Sequence, residues 1–142
     1  MTKMLGVLFL CGCLVGCGSS SAANLTGNWQ FTLKSSANGN TYTGTASITQ
    51  SSGPVDSSGA GSLERMVTGT MNFANDPCAM AAPLSGTISG SNVILTATEG
   101  GQTALSLTGS VNAAFTAMSG NYTAPFGGCS SGDFGSWAAS KS

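Results

Sequence analysis

Leu25-Thr26-Gly27-Asn28-Trp29-Gln30-Phe31-Thr32-Leu33-Lys34 is the stretch whose reading decides the fold. Leu25, Gly27, Trp29, Phe31 and Leu33 alternate with Thr26, Asn28, Gln30, Thr32 and Lys34. Successive side chains of a strand point to opposite faces, so this pattern makes one dry face and one wet face. The same period runs outward from it. Tyr42, Gly44, Ala46 and Ile48 alternate with Thr41, Thr43, Thr45, Ser47 and Thr49, and further stripes carry Val67-Gly69-Met71-Phe73, Leu84-Gly86-Ile88, Val93-Leu95-Ala97 and Leu105-Leu107-Val111. Phe115 to Thr123 and Phe134 to Ala139 complete about eight expected strands.

The connections agree with an antiparallel meander. Ala37-Asn38-Gly39-Asn40, Ser89-Gly90-Ser91-Asn92 and Glu99-Gly100-Gly101-Gln102 offer hairpin turns whose residues tolerate positive φ. Longer loops are expected at 51–61, 74–83 and 125–132. No window holds a convincing helix, because Gly, Ser and Thr interrupt each candidate. An apolar residue, Ser or Thr, Gly, then Thr, Ser or Asn recurs from Leu25, Tyr42, Val67, Leu84, Leu107 and Met118. The starts lie 17, 25, 17, 23 and 11 residues apart, too uneven for a solenoid or propeller. One inward glycine per strand suits the strong coiling of a small closed barrel, which is therefore preferred to a β-sandwich.

Gly27-Asn28-Trp29 resembles the G-x-W of the first lipocalin strand, and Leu25 to Trp29 is similar to the opening of avidin-type barrels. The resemblance implies a barrel whose first-strand Trp plugs one end. The lipocalin T-D-Y motif is absent, and Trp137 is the only other tryptophan, so the biotin-enclosing set of avidins is missing too. The fold carries over and no ligand-binding residue does. The chain after its signal segment also resembles small Ser/Thr/Gly-rich bacterial lipoproteins.

That signal segment occupies residues 1–16. Lys3 supplies a positive start, and Met4 to Val15 is apolar apart from Gly and Cys. It matches a secretory h-region and is shorter than the roughly 20 residues of a transmembrane helix. Leu14-Val15-Gly16-Cys17 resembles a lipobox, which implies cleavage before Cys17 and acylation of its thiol. Gly18 follows where enterobacterial lipoproteins retained in the inner membrane carry Asp, so the implied destination is the outer membrane. Residues 17–24 read as lipidated cysteine and flexible tether, and 25–142 as the barrel domain.

The exported part carries Lys34, Arg65 and Lys141 against Asp56, Glu64, Asp76, Glu99 and Asp133, a formal charge of −2. Charged residues make up 6% of the whole chain, far below the roughly 25% of ordinary soluble proteins. With no basic patch, nucleic acid is not an expected partner. Cys11 and Cys13 leave with the signal and Cys17 takes lipid. Cys78 and Cys129 then form an even pair in an oxidising compartment, and a disulfide is expected. Two isolated thiols in a chain without His make a poor metal site, and no metal is expected.

Catalytic chemistry has few parts to work with. The absence of His removes Ser-His-Asp, Cys-His and His-metal arrangements. Asp76 and Asp133 each lie in a loop near a cysteine and could pair as glycosidase acids or calcium ligands. Capping their turns is the preferred role of both. Glu64 beside Arg65 reads as a surface pair. Trp29 and Trp137 could form an aromatic platform. The preferred reading is that Trp29 plugs the barrel and Trp137 packs beside it where the first and last strands close. Thr and Ser along 41–49 could face an envelope glycan, although Thr is favoured on any wet strand face. No catalytic residue and no cofactor are expected. Two functions stay open: a lipid-anchored module binding a small apolar ligand in its barrel, and an envelope interaction protein whose barrel is filled. An eight-stranded barrel has room for either.

Overall fold

The computed structural model describes residues 24–53, 64–73, 81–125 and 132–142. Cys17, Asp76, Cys78 and Cys129, together with the signal segment, lie outside them. Eight strands follow in order: β1 (Gly27–Ser35), β2 (Thr41–Gln50), β3 (Glu64–Phe73), β4 (Ala82–Ser89), β5 (Asn92–Glu99), β6 (Gln102–Val111), β7 (Ala117–Ala124) and β8 (Asp133–Lys141). Each pairs antiparallel with the next, and β1 pairs with β8, so the meander closes into a barrel. Closure leaves no edge strand to template aggregation.

The registers set the shape. Gln50, Val67, Gly86, Leu95, Leu107, Tyr122, Gly135 and Ser35 stand opposite one another in succession round the wall. The β1–β2 register sets Leu25 level with Gln50. One circuit therefore climbs from Leu25 to Ser35, a stagger of ten residues. Closure with such a stagger tilts strands by about 40° to the axis.

The alternation read from the sequence is the alternation found. Along β1 the burial runs Trp29, Phe31, Leu33 and Ser35 in, Gln30, Thr32 and Lys34 out. Thr43, Thr45, Ser47 and Thr49 face outward from β2. A polar outside around an apolar inside is opposite to a transmembrane barrel, whose lipid-facing band is apolar.

Three details depart from expectation. The first strand starts at Gly27 and not at Leu25. Gly27 has φ +140°, a conformation that L side chains rarely adopt, so the strand cannot continue backwards through it. Phe115 lies in the β6–β7 turn, at φ 54°, and not in a strand. Asn112 organises that turn, its Oδ1 accepting from the N–H of Thr116 at 2.9 Å and of Ala117 at 3.1 Å. Trp137 is opposite Leu33 and stacks on Phe31, with ring centroids 5.7 Å apart, rather than beside Trp29. The stagger displaces β8 along β1, which brings Lys141 to Trp29 instead.

Candidate functional site

An apolar ligand would have to occupy the barrel interior, so the inward residues come first. Glycine rows could empty that space or let the strands approach. The geometry answers for approach. A Cβ on Gly69 would collide with the backbone carbonyl of Ser47, and one on Gly86 with that of Ile94. Gly109 and Gly120 face the carbonyls of Ser119 and Thr108 in the same way, and Gly135 that of Lys34. At Gly44 an added Cβ would lie 2.5 Å from the Phe73 ring and 2.6 Å from the Asn72 carbonyl oxygen. Large side chains stand opposite these half-buried positions: Gly44 is flanked by Phe31 and Phe73, Gly69 by Ile48 and Leu84, and Gly86 by Val67 and Leu95. Trp137 stands opposite Gly120 and Tyr122 opposite Gly135, where Tyr122 Cε1 is 3.0 Å from the place of an added Cβ. Small beside large is how a tightly coiled barrel interdigitates its layers, and an aromatic laid over a cross-strand glycine shields its backbone.

Trp29, Val67, Met71, Leu95, Ala97 and Leu107 are each 0% exposed. A water-sized void against any of them would have left some of that surface accessible. Their contacts are therefore with other atoms, as in a close-packed core. Trp137 adds a polar anchor, its Nε1 donating to the Thr108 carbonyl at 3.1 Å. Among the described residues no buried side-chain nitrogen or oxygen is without a partner.

One end is plugged. Trp29 donates from Nε1 to the Leu25 carbonyl at 2.8 Å, and the Leu25 N–H donates to Gln50 Oε1 at 2.9 Å. Lys141 holds its Nζ 5.6 Å from the centre of the Trp29 ring and donates to the Asn24 carbonyl at 3.1 Å. Trp29 thus lies fully buried near the start of β1, bonded to Leu25 and beside Lys141.

The opposite rim holds a polar cluster. Asp133 accepts from Ser35 Oγ at 2.6 Å, from Tyr122 OH at 2.7 Å and from the Phe134 N–H at 2.8 Å. Ser35 Oγ in turn accepts from the N–H of Ala37 and of Asn38, both at 3.2 Å. The cluster ties the β1–β2 turn to β7 and β8. Burial pushes the Asp133 carboxyl up, but the hydrogen bonds from Ser35, Tyr122 and Phe134 outweigh it, and the group titrates below the ordinary 3.8. Tyr122 is pushed far above its ordinary value, first by burial and then by its bond to Asp133 and that carboxylate's charge. A carboxylate held ionised by three donors is a poor proton donor, so this arrangement braces the rim and does not suit general acid catalysis. The turn that Asp133 was expected to cap lies largely outside the described residues, and the carboxylate's bond to the Phe134 N–H falls within β8. Ser35 and Tyr122 were not singled out from the sequence. The available signal was a hydroxyl at an otherwise apolar inward position on each strand.

The cluster has a pH signature. A depressed carboxyl contributes stability fully above the unfolded value near 3.8, and that contribution is lost as pH falls through the lower folded value. Asp133→Asn is expected to cost about 2 kcal/mol at neutral pH, the scale of hydrogen bonds to a charged acceptor. Its deficit against the parent should shrink to nothing in strong acid. Urea titrations at several pH values check this, and a deficit independent of pH would contradict it.

The outer wall carries a broad depression of about 310 Å³ over β1, β2 and β3. Gln30, Thr32, Thr43, Thr45 and Asn72 line it, with Phe31 and Gly44 beneath. Gln30, Thr45 and Asn72 stand in one cross-strand row. The lining is uncharged and offers both donors and acceptors. Among the described residues no cluster of His, Cys, Asp or Glu is arranged to hold a metal. Comparison with protein families, with curated proteins and with solved structures finds no match for this chain.

Proposed function

We propose that this chain is a lipid-anchored, non-catalytic protein of the bacterial cell envelope whose barrel is filled and which meets its partners with its outside. The observation that carries the reading is the run of inward side chains with no water-accessible surface, from Trp29 through Met71 to Leu107. Pre-formed ligand pockets are hollow before the ligand arrives, and this interior is occupied by its own side chains. The inward glycines, which favoured a small apolar ligand in the barrel, are used up by close strand approach.

Anchoring rests on Leu14-Val15-Gly16-Cys17, and Gly18 favours the outer membrane. Two or three acyl chains on one cysteine hold a protein stably, where a single chain holds it marginally. The uncharged depression around Thr43 and Thr45 suits an envelope glycan, which would be held by many weak hydrogen bonds.

The Cys78–Cys129 disulfide belongs to the same proposal. The strands flanking the two cysteine-bearing connections all end at the Ser35–Asp133 rim, with β3 and β4 across the barrel from β7 and β8. Cys78 is five residues from Phe73, and Cys129 is five from Ala124. Five residues of chain extend at most about 17 Å. The bridge would close a loop of about 50 residues, worth roughly 4 kcal/mol in the chain-entropy account. Free thiols at both positions in freshly isolated native protein would contradict it.

The filled interior has its own test. Fatty acids, retinoids and hydrophobic dyes titrated into the purified protein are expected to leave Trp29 and Trp137 emission unchanged. A saturable change with one site per chain would restore the ligand-binding reading.

A further inference from the structure

We propose that the anchored barrel stands on the bilayer with its Trp29 end and the neighbouring lower wall of β3 to β5, so that Met66 and Ile94 touch the lipid interface and the Ser35–Asp133 rim faces away. This rests on lipid attachment at Cys17. Two separate observations converge on it.

The first is where the tether leaves. Asn24 is held against the plugged end by Lys141, and Thr26 Oγ1 accepts from the Gln50 N–H at 3.0 Å. Antiparallel order brings the β2–β3, β4–β5 and β6–β7 connections and Ser142 to this same end. Seven peptide units separate Cys17 from Asn24, and a flexible chain of that length has a mean span of about 15 Å. The nine residues of β1, at about 3.3 Å each and tilted by about 40°, make a barrel about 23 Å tall. Placing the far rim on the bilayer would demand an almost fully extended tether. Placing the plugged end there demands nothing.

The second is where exposed apolar side chains lie. Met66 is 43% exposed and Ile94 51%, and both flank Thr87 in one cross-strand row. Met66 is the third residue of β3 and Ile94 the third of β5, and both strands begin at the plugged end. Phe134, 57% exposed, is the second residue of β8 and so belongs to the far rim. Ionisable groups do not decide the orientation. Among the described residues Glu64, Arg65 and Lys141 belong to the plugged end, a formal charge of only +1. The apolar pair gives the anchored barrel a side on which to lean, by the same burial that seats interfacial segments.

The test uses the acylated full chain reconstituted in phosphatidylethanolamine–phosphatidylglycerol vesicles. An environment-sensitive dye is attached through Ile94→Cys or, in a second preparation, Phe134→Cys. Both positions are exposed, so the fold is expected to tolerate them. Spin-labelled lipid should quench the dye at 94 several-fold more than at 134. Equal quenching, stronger quenching at 134, or none at either in protein that floats with the vesicles would overturn the orientation. Acylated protein that fails to float would instead remove the anchor, and the orientation with it. Met66→Ser combined with Ile94→Ser should leave flotation intact and lower the quenching of a dye placed by Ser91→Cys in the β4–β5 turn. Undiminished quenching there would contradict the leaning contact.

Discussion

Gly120→Ala is expected to lower folding stability by about 4 kcal/mol, although it adds a single methyl group. The new Cβ would run into the Thr108 carbonyl, which belongs to backbone and cannot rotate aside. That carbonyl is also the acceptor for Trp137 Nε1. Relief by moving β6 would therefore break a part-buried hydrogen bond and disturb the Phe31–Trp137 stack. Overpacking costs roughly 1–3 kcal/mol and a buried donor left unpaired another 1–3. Gly90→Ala is the control. Gly90 has φ 59° and nothing within 4 Å of its would-be Cβ, so only the left-handed backbone resists. About 1–2 kcal/mol is expected there. Urea denaturation of both variants decides, and equal losses would contradict the close approach of β6 and β7.

Trp29→Ala should be about as damaging, at roughly 3–5 kcal/mol, the usual range for deleting a buried aromatic. Trp29 is fully buried, gives the Leu25 carbonyl its hydrogen bond and lies beneath Lys141. Removing it takes the hydrogen-bond donor from the Leu25 carbonyl and opens a cavity in the core that buries Leu25. Trp29→Phe keeps most of the ring and loses the indole N–H, so a deficit nearer 1–2 kcal/mol is expected. Denaturation midpoints and near-ultraviolet circular dichroism check both. A Trp29→Ala loss below about 1 kcal/mol would show that the end is held by something else.

The legible part of this molecule is the part written in local alternation. Val67, Met71 and Phe73 point inward because they sit two or four residues apart in a strand, and Gly39, Gly90 and Gly100 turn because they can reach positive φ. Phe115 escaped because the alternation continues through it, while the turn depends on an Asn112 side chain bonding to backbone four and five residues later. The role of the inward glycines was undecidable from one strand at a time. Whether a missing side chain opens space depends on the neighbour across the ladder, and register pairs Gly120 with Trp137 and Gly86 with Leu95. Ser35 and Asp133 meet across 98 residues of sequence, so their cluster with Tyr122 exists only once the barrel has closed. The position of Trp137 opposite Leu33 has the same origin, since the stagger of β8 along β1 has no local signature.

Xenon binding tests the filled interior most directly, because dry apolar cavities in proteins take up xenon and close-packed cores do not. Methyl nuclear magnetic resonance spectra of the folded protein would be recorded under rising xenon pressure, following Val67, Met71, Leu95 and Leu107. Leu95→Ala, which carves a cavity into the same core, supplies the positive control. A filled barrel predicts saturable shifts in Leu95→Ala and none in the parent at those four residues. Saturable shifts of the same methyls in the parent chain would contradict it and return the interior to ligand binding.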